Sequence, residues 1–87
     1  MGLEESLGIE LRTLRRKRGL SQENLGFKAG LHRTYISMLE NGRKSPTLNV
    51  IVRIAEALQV RASDIVAGAE KRASRGSRLE INGRART

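Results

Sequence analysis

The side chains able to do chemistry in this chain are few, and their pattern points to recognition rather than reaction. There is no cysteine and a single histidine, His32. Disulfides, thiolate metal sites, cysteine nucleophiles and a histidine pair for a metal or proton relay are therefore ruled out. No carboxylate pair, no nucleophile beside a base and no phosphate-cradling glycine loop stands in the sequence. Neither an enzyme nor a cofactor is expected. What remains is a set of hydrogen-bonding side chains on the run from Arg33 to Asn41. Ile36 and Leu39 take one face of that run, and Arg33, Thr34, Ser37 and Met38 project from the opposite one. Arginine is a forked donor, the two hydroxyls donate or accept, and Met38 offers apolar contact only.

Seventeen Lys and Arg oppose nine Asp and Glu, for a formal charge of +8. Such a field draws polyanions. No apolar run approaches the length of a membrane span and no hydrophobic signal segment opens the chain, so nucleic acid is the expected partner, no membrane is involved, and a cytoplasmic location is expected. The charge is uneven: residues 1–70 carry 11 basic and 8 acidic side chains, whereas 71–87 carry 6 and 1. Most of the excess belongs to a short tail.

The elements that must position the recognition side chains are helices. Aliphatic residues dominate the apolar set, and Phe27 and Tyr35 are the only aromatics. Ser6 is the expected cap of a first helix carrying Leu7, Leu11 and Leu14 on one stripe, with Arg15 to Arg18 as a solvated cationic end and Gly19 as its stop. Ser21 is the expected cap of a second helix, with Gly30 in the left-handed turn that follows it. The third run ends at Gly42, and Arg43 to Pro46 reads as a loop. Thr47 opens a fourth helix with Leu48, Ile51, Ala55 and Leu58 along its inner stripe. A short fifth helix over Ala62 to Ala67 is expected to stop at Gly68, leaving residues 69–87 as a basic, largely disordered tail. The fold expected is all-α: five helices over residues 6–68.

Two short helices joined by a tight glycine turn define a helix-turn-helix. Leu25, Ala29, Leu31, Ile36 and Leu39 fall where the pair must pack, and Gly26 falls where the second helix crosses the third closely. The stretch Gly19-Leu20-Ser21-Gln22-Glu23-Asn24-Leu25 through Tyr35-Ile36-Ser37-Met38-Leu39-Glu40-Asn41-Gly42, then Ser45-Pro46-Thr47, resembles the phage repressor and Cro-like helix-turn-helix family. The run Arg33-Thr34-Tyr35-Ile36-Ser37 is also similar to the controller proteins of restriction–modification systems. The resemblance implies sequence-specific binding of double-stranded DNA, with helix 33–41 in the major groove. Arg33, Thr34, Ser37 and Met38 would then meet base edges. Gln22, His32, Tyr35, Asn41, Arg43 and Lys44 would contact the phosphate backbone, His32 as a phosphate neighbour or weak cap rather than a pH switch. Glu40 would be structural, tied to an arginine of the first helix, Arg15.

One such module covers one half-site, so a homodimer on a near-palindromic operator is expected, with Val60, Ile65 and Val66 as the candidate interface. A repressor or self-regulating switch is the leading reading. The alternative is an antitoxin that holds a toxin and binds its own promoter, with the tail as the toxin-binding segment. A toxin or RNA polymerase would be the further protein partners.

Overall fold

The computed structural model describes residues 1–76. Among them are five helices: α1 Leu3–Lys17, α2 Gln22–Ala29, α3 Arg33–Glu40, α4 Leu48–Leu58 and α5 Ala62–Gly76. No strand occurs among the described residues. The element order follows the expected all-α plan, with two ends moved.

The first helix begins at Leu3, three residues before the expected cap. Gly2 is the N-cap, and its N–H donates to the Glu5 carboxylate at 3.2 Å, so Glu4 and Glu5 occupy the turn where the helix dipole favours anions. Ser6 sits inside the helix, fully buried, and its hydroxyl donates back to the Gly2 carbonyl at 2.9 Å.

At the other end, α5 does not stop at Gly68. It runs to Gly76, so residues 69–76 belong to the folded domain, and residues 77–87 of the expected tail lie outside the described residues. Gly68 serves a close approach instead of a stop. A Cβ there would run into the Glu10 carboxylate, which lies against the helix and accepts from Arg72 Nε at 2.8 Å. Ala69 is buried in the same contact surface.

Local chemistry fixes the middle of the chain. The Ser21 hydroxyl accepts the Asn24 N–H at 2.9 Å, and the Thr47 hydroxyl accepts that of Val50 at 3.1 Å. Gly30 takes φ 72°, the left-handed conformation that turns α2 into α3. Arg53 of α4 clamps that turn: its Nε donates to the Ala29 carbonyl and its Nη2 to the Gly30 carbonyl. Arg18 does the same for α4, donating to the Leu58 and Gln59 carbonyls. The expected solvated cluster at Arg15–Arg18 is thus partly structural, because helix C-termini present carbonyls that a guanidinium can satisfy.

Leu7, Leu11, Leu25, Ala29, Ile36, Leu39, Ile54, Ala55, Leu58, Ile65 and Ala69 form the core. The α4 stripe is rotated from the expected one: Leu48 is 73% exposed, while Ile54 is buried in its place. Ile65 is fully buried within the protomer and is therefore a core residue, not an interface residue. At two crossings the backbones nearly touch. A Cβ on Gly26 would meet the Leu31 carbonyl oxygen at 2.5 Å, and one on Gly8 would meet that of Glu40 at 2.5 Å. The first is the close α2–α3 crossing expected from the sequence; the second seats α1 against the end of α3.

Candidate nucleic-acid interface

The site is organised from below by one carboxylate. Glu40 closes α3 with a side chain fully screened from solvent, where a lone charge would be costly. Arg15 of α1 answers it with two hydrogen bonds, Nε to Oε2 at 2.6 Å and Nη2 to Oε1 at 3.0 Å, and also donates to the Leu20 carbonyl at 2.9 Å. Gln22 of α2 donates to Oε1 at 3.0 Å, and Arg12 lies 3.6 Å from the same oxygen. Burial opposes the Glu40 charge, but the hydrogen bonds from Arg15 and Gln22 and the charges of Arg15 and Arg12 outweigh it and hold the carboxyl below its ordinary range. The Arg15 guanidinium is pushed upward, chiefly by its hydrogen bond to Glu40. Three helices are thereby joined at one residue of α3. The Arg15–Glu40 tie matches the sequence expectation; the parts of Gln22 and Arg12 in it were not foreseen.

On the outer side of this hub, α3 presents its polar face. Arg33 and Thr34 are exposed, and Ser37 and Met38 are half-buried. Arg33, Thr34 and Ser37 line an open hollow of about 520 Å³ together with Arg15, Ser21, Gln22 and Glu23, so the start of α2 and the start of α3 share one surface. Met38 is not part of that lining. Arg33 Nη1 stands 3.9 Å from Glu23 Oε1, and both side chains are mostly exposed, so this pair orients the arginine without holding it strongly.

The residues expected to meet phosphate are distributed around that surface. Gln22 borders the hollow, with its amide nitrogen turned to Glu40. His32 is the N-cap of α3, and its Nδ1 accepts the Thr34 N–H at 3.1 Å. Tyr35 is half-buried and packs on the core. Asn41 follows α3 as its C-cap; its Oδ1 accepts from Arg12 at 3.4 Å and its Nδ2 reaches Ser37 Oγ at 3.5 Å. Arg43 and Lys44 are exposed in the loop before α4. Arg12 is the cation that the sequence reading missed: it brings α1 to the end of α3, a contact invisible without the helix crossing. Among the residues expected at a dimer interface, Val66 is exposed and Val60 half-buried.

Comparison with known proteins decides the family. A helix-turn-helix family model matches residues 11–65. The chain belongs to the helix-turn-helix family of Cro/C1-type DNA-binding transcription regulators. An uncharacterised helix-turn-helix-type transcriptional regulator, y4dJ of Sinorhizobium fredii, is 35% identical over 66 residues, covering 76% of this chain and 86% of that protein. Control protein C.BamHI of Bacillus amyloliquefaciens is 42% identical over 60 residues, covering 68% and 74% respectively. Among solved structures, the restriction–modification controller protein C.AhdI of Aeromonas hydrophila superposes with a TM-score of 0.69 at 38% identity, covering 70% of this chain and 92% of that one. In this helix-turn-helix chain, the matched segment contains α2 and α3 whole, with Gly30 in the turn between them and Glu40 at the end of the second. No described helix is long and apolar enough to cross a membrane.

Proposed function

We propose that this protein is a homodimeric, sequence-specific transcription regulator that places α3 in the major groove of a near-palindromic operator. The observation that carries the reading is the shared surface of α2 and α3: Arg33, Thr34 and Ser37 stand beside the N-terminus of α2, while Glu40 holds α3 rigidly from behind. A helix N-terminus favours phosphate, so α2 anchors the backbone while α3 reads bases. Arg33 is the principal reader, bidentate to guanine, with Thr34 and Ser37 on neighbouring bases and Met38 on a thymine methyl. His32, Tyr35, Asn41, Arg43 and Lys44 flank the phosphates. Val66, with Val60, meets a second copy, and the two-fold axis sets the symmetry of the operator. The work is binding, not catalysis, and it is done in the cytoplasm. The similarity to control proteins of restriction–modification systems favours a controller role within this class.

Selection from a random duplex library tests the reading. The wild type should return an inverted repeat with half-site centres about 10 base pairs, or a multiple, apart. Arg33→Ala should relax one position per half-site, a loss of roughly 1–3 kcal/mol of discrimination. An unsymmetrical selected site would refute the dimer, and unchanged selection by Arg33→Ala would refute its reading role.

A further inference from the structure

We propose that Glu23 is a positioning residue for sequence reading: its carboxylate turns the Arg33 guanidinium toward base edges and away from phosphate. The two side chains come from different helices, Glu23 from the first turn of α2 and Arg33 from the start of α3. Arg33 Nη1 stands 3.9 Å from Glu23 Oε1, with the side chains 65% and 73% exposed. A pair so exposed adds little to folding. The other ion pairs among the described residues, Arg12 and Arg15 with Glu40 and Arg72 with Glu10, tie helix to helix where they cross. The Glu23–Arg33 pair instead spans the hollow that Thr34 and Ser37 also line, and among the described residues Glu23 is the one acid bordering it. A carboxylate on a surface meant for a polyanion costs affinity, because it repels phosphate. Stabilising the N-terminus of α2 accounts for an acid there, but not for its placement against the reading arginine.

The chemistry of the guanidinium supplies the reason. Arginine is a long, flexible cation with five N–H donors, and phosphate oxygens accept from it as readily as guanine does. A phosphate contact carries no sequence information. An arginine free to choose would therefore add affinity on any duplex. Glu23 engages the Nη1 edge and leaves the Nε–H and an Nη2–H, a parallel donor pair that matches O6 and N7 of guanine. Its charge also offsets that of the guanidinium, so the pair as a unit gains little from phosphate. A duplex docked over the hollow excludes water and lowers the local dielectric, which strengthens a pair that water screens in the free protein. On a duplex with no guanine at that place the arginine's donors stay unmatched, while the carboxylate still repels the backbone. Discrimination thus comes from an attractive and a repulsive element together.

The inference rests on Arg33 being a base reader, and its test separates the two. Wild type, Glu23→Gln, Arg33→Ala and the double variant, each as the full chain, are titrated by fluorescence anisotropy. The duplexes are the selected operator, the same operator substituted at the position that Arg33→Ala relaxes, and a scrambled sequence. Glu23→Gln should bind the scrambled duplex about two- to fivefold more tightly, the scale of one exposed charge pair. Its affinity ratio between the selected and substituted operators should fall roughly fivefold, a coupling ordinary for neighbouring side chains. In the Arg33→Ala background the same substitution should leave that ratio where it is. An unchanged ratio in Glu23→Gln overturns the inference even where affinity rises, since the carboxylate then only repels. A lowered ratio with no gain on the scrambled duplex overturns the trade of affinity for discrimination. Equal weakening on all three duplexes marks a merely structural role and overturns the inference, as does a fall in ratio that persists without Arg33. Unchanged library selection by Arg33→Ala refutes the base-reading role itself, and the inference falls with it.

Discussion

Replacing Arg15 by methionine removes the strongest support of the recognition surface while keeping much of the side chain's apolar bulk. Two hydrogen bonds to Glu40, at 2.6 and 3.0 Å, and one to the Leu20 carbonyl are lost together. Glu40 remains with no solvent access, one hydrogen bond from Gln22 and the Arg12 guanidinium at 3.6 Å. Removing one partner of a buried pair costs about 3–5 kcal/mol because the other charge is left uncompensated. Arg12 and Gln22 place this case at the lower end, about 3 kcal/mol. For a domain of this size that corresponds to a fall in Tm of roughly 12–24 °C.

Urea denaturation followed by far-UV circular dichroism measures the loss, and pH supplies its signature. In the wild type the Glu40 carboxyl is held below its unfolded value, so its contribution is present above that unfolded value and is lost as the pH falls through the lower folded one. In Arg15→Met burial dominates and pushes the carboxyl up; the variant is then penalised as the pH rises and relieved as it falls. The stability gap between the two proteins should therefore narrow in acid. Adding Glu40→Leu to Arg15→Met should restore most of the loss at neutral pH, since no buried charge is left. A cost under about 1 kcal/mol for Arg15→Met, or a gap that does not narrow in acid, would refute the assignment of Glu40 as the hub.

Two further perturbations follow from the packing and the charge distribution. Gly8→Ala sets a Cβ against the Glu40 and Leu39 carbonyl oxygens, at 2.5 and 2.6 Å, which cannot yield without moving α3. The overpacking cost of about 1–3 kcal/mol exceeds the gain in helix propensity, so thermal denaturation should show a lowered Tm, and an unchanged or raised one counts against the crossing. Deleting residues 77–87 removes three arginines and one glutamate. If these arginines meet phosphate, the slope of log affinity against log salt should fall by roughly 2–3, and an unchanged slope retires the tail as a DNA contact. The cut must fall after Gly76, because Arg72 pairs with Glu10 and Ala69 is buried.

What the sequence determined by itself was the local grammar of the helices. Ser21 and Thr47 cap through bonds to residues three positions on, and Gly30 takes its left-handed conformation within the turn itself, which Arg53 of α4 then clamps. The register of Leu25, Ala29, Ile36 and Leu39 likewise follows from helical periodicity and marks the helix-turn-helix without recourse to net charge. Even the exposed polar face of α3 is fixed once Ile36 and Leu39 are buried.

Tertiary structure decided the contacts between residues far apart in the chain. Arg18 reaches carbonyls 40 and 41 residues away, and Arg72 meets a carboxylate 62 residues away. These depend on crossing angles that no local pattern encodes, which is why Arg18 reads as a solvated cation and Gly68 as a stop. The same holds for Leu48 and Ile65. An apolar residue on a stripe is equally suited to the core or to a partner, and only the placement of α4 against α2 and α5, and of α5 against α1, chooses between them. The recognition surface combines both kinds of information. Its side chains are legible between Ser21 and Lys44, but the reason they stand still is Glu40, gripped by Arg15 from 25 residues upstream and by Gln22 from 18.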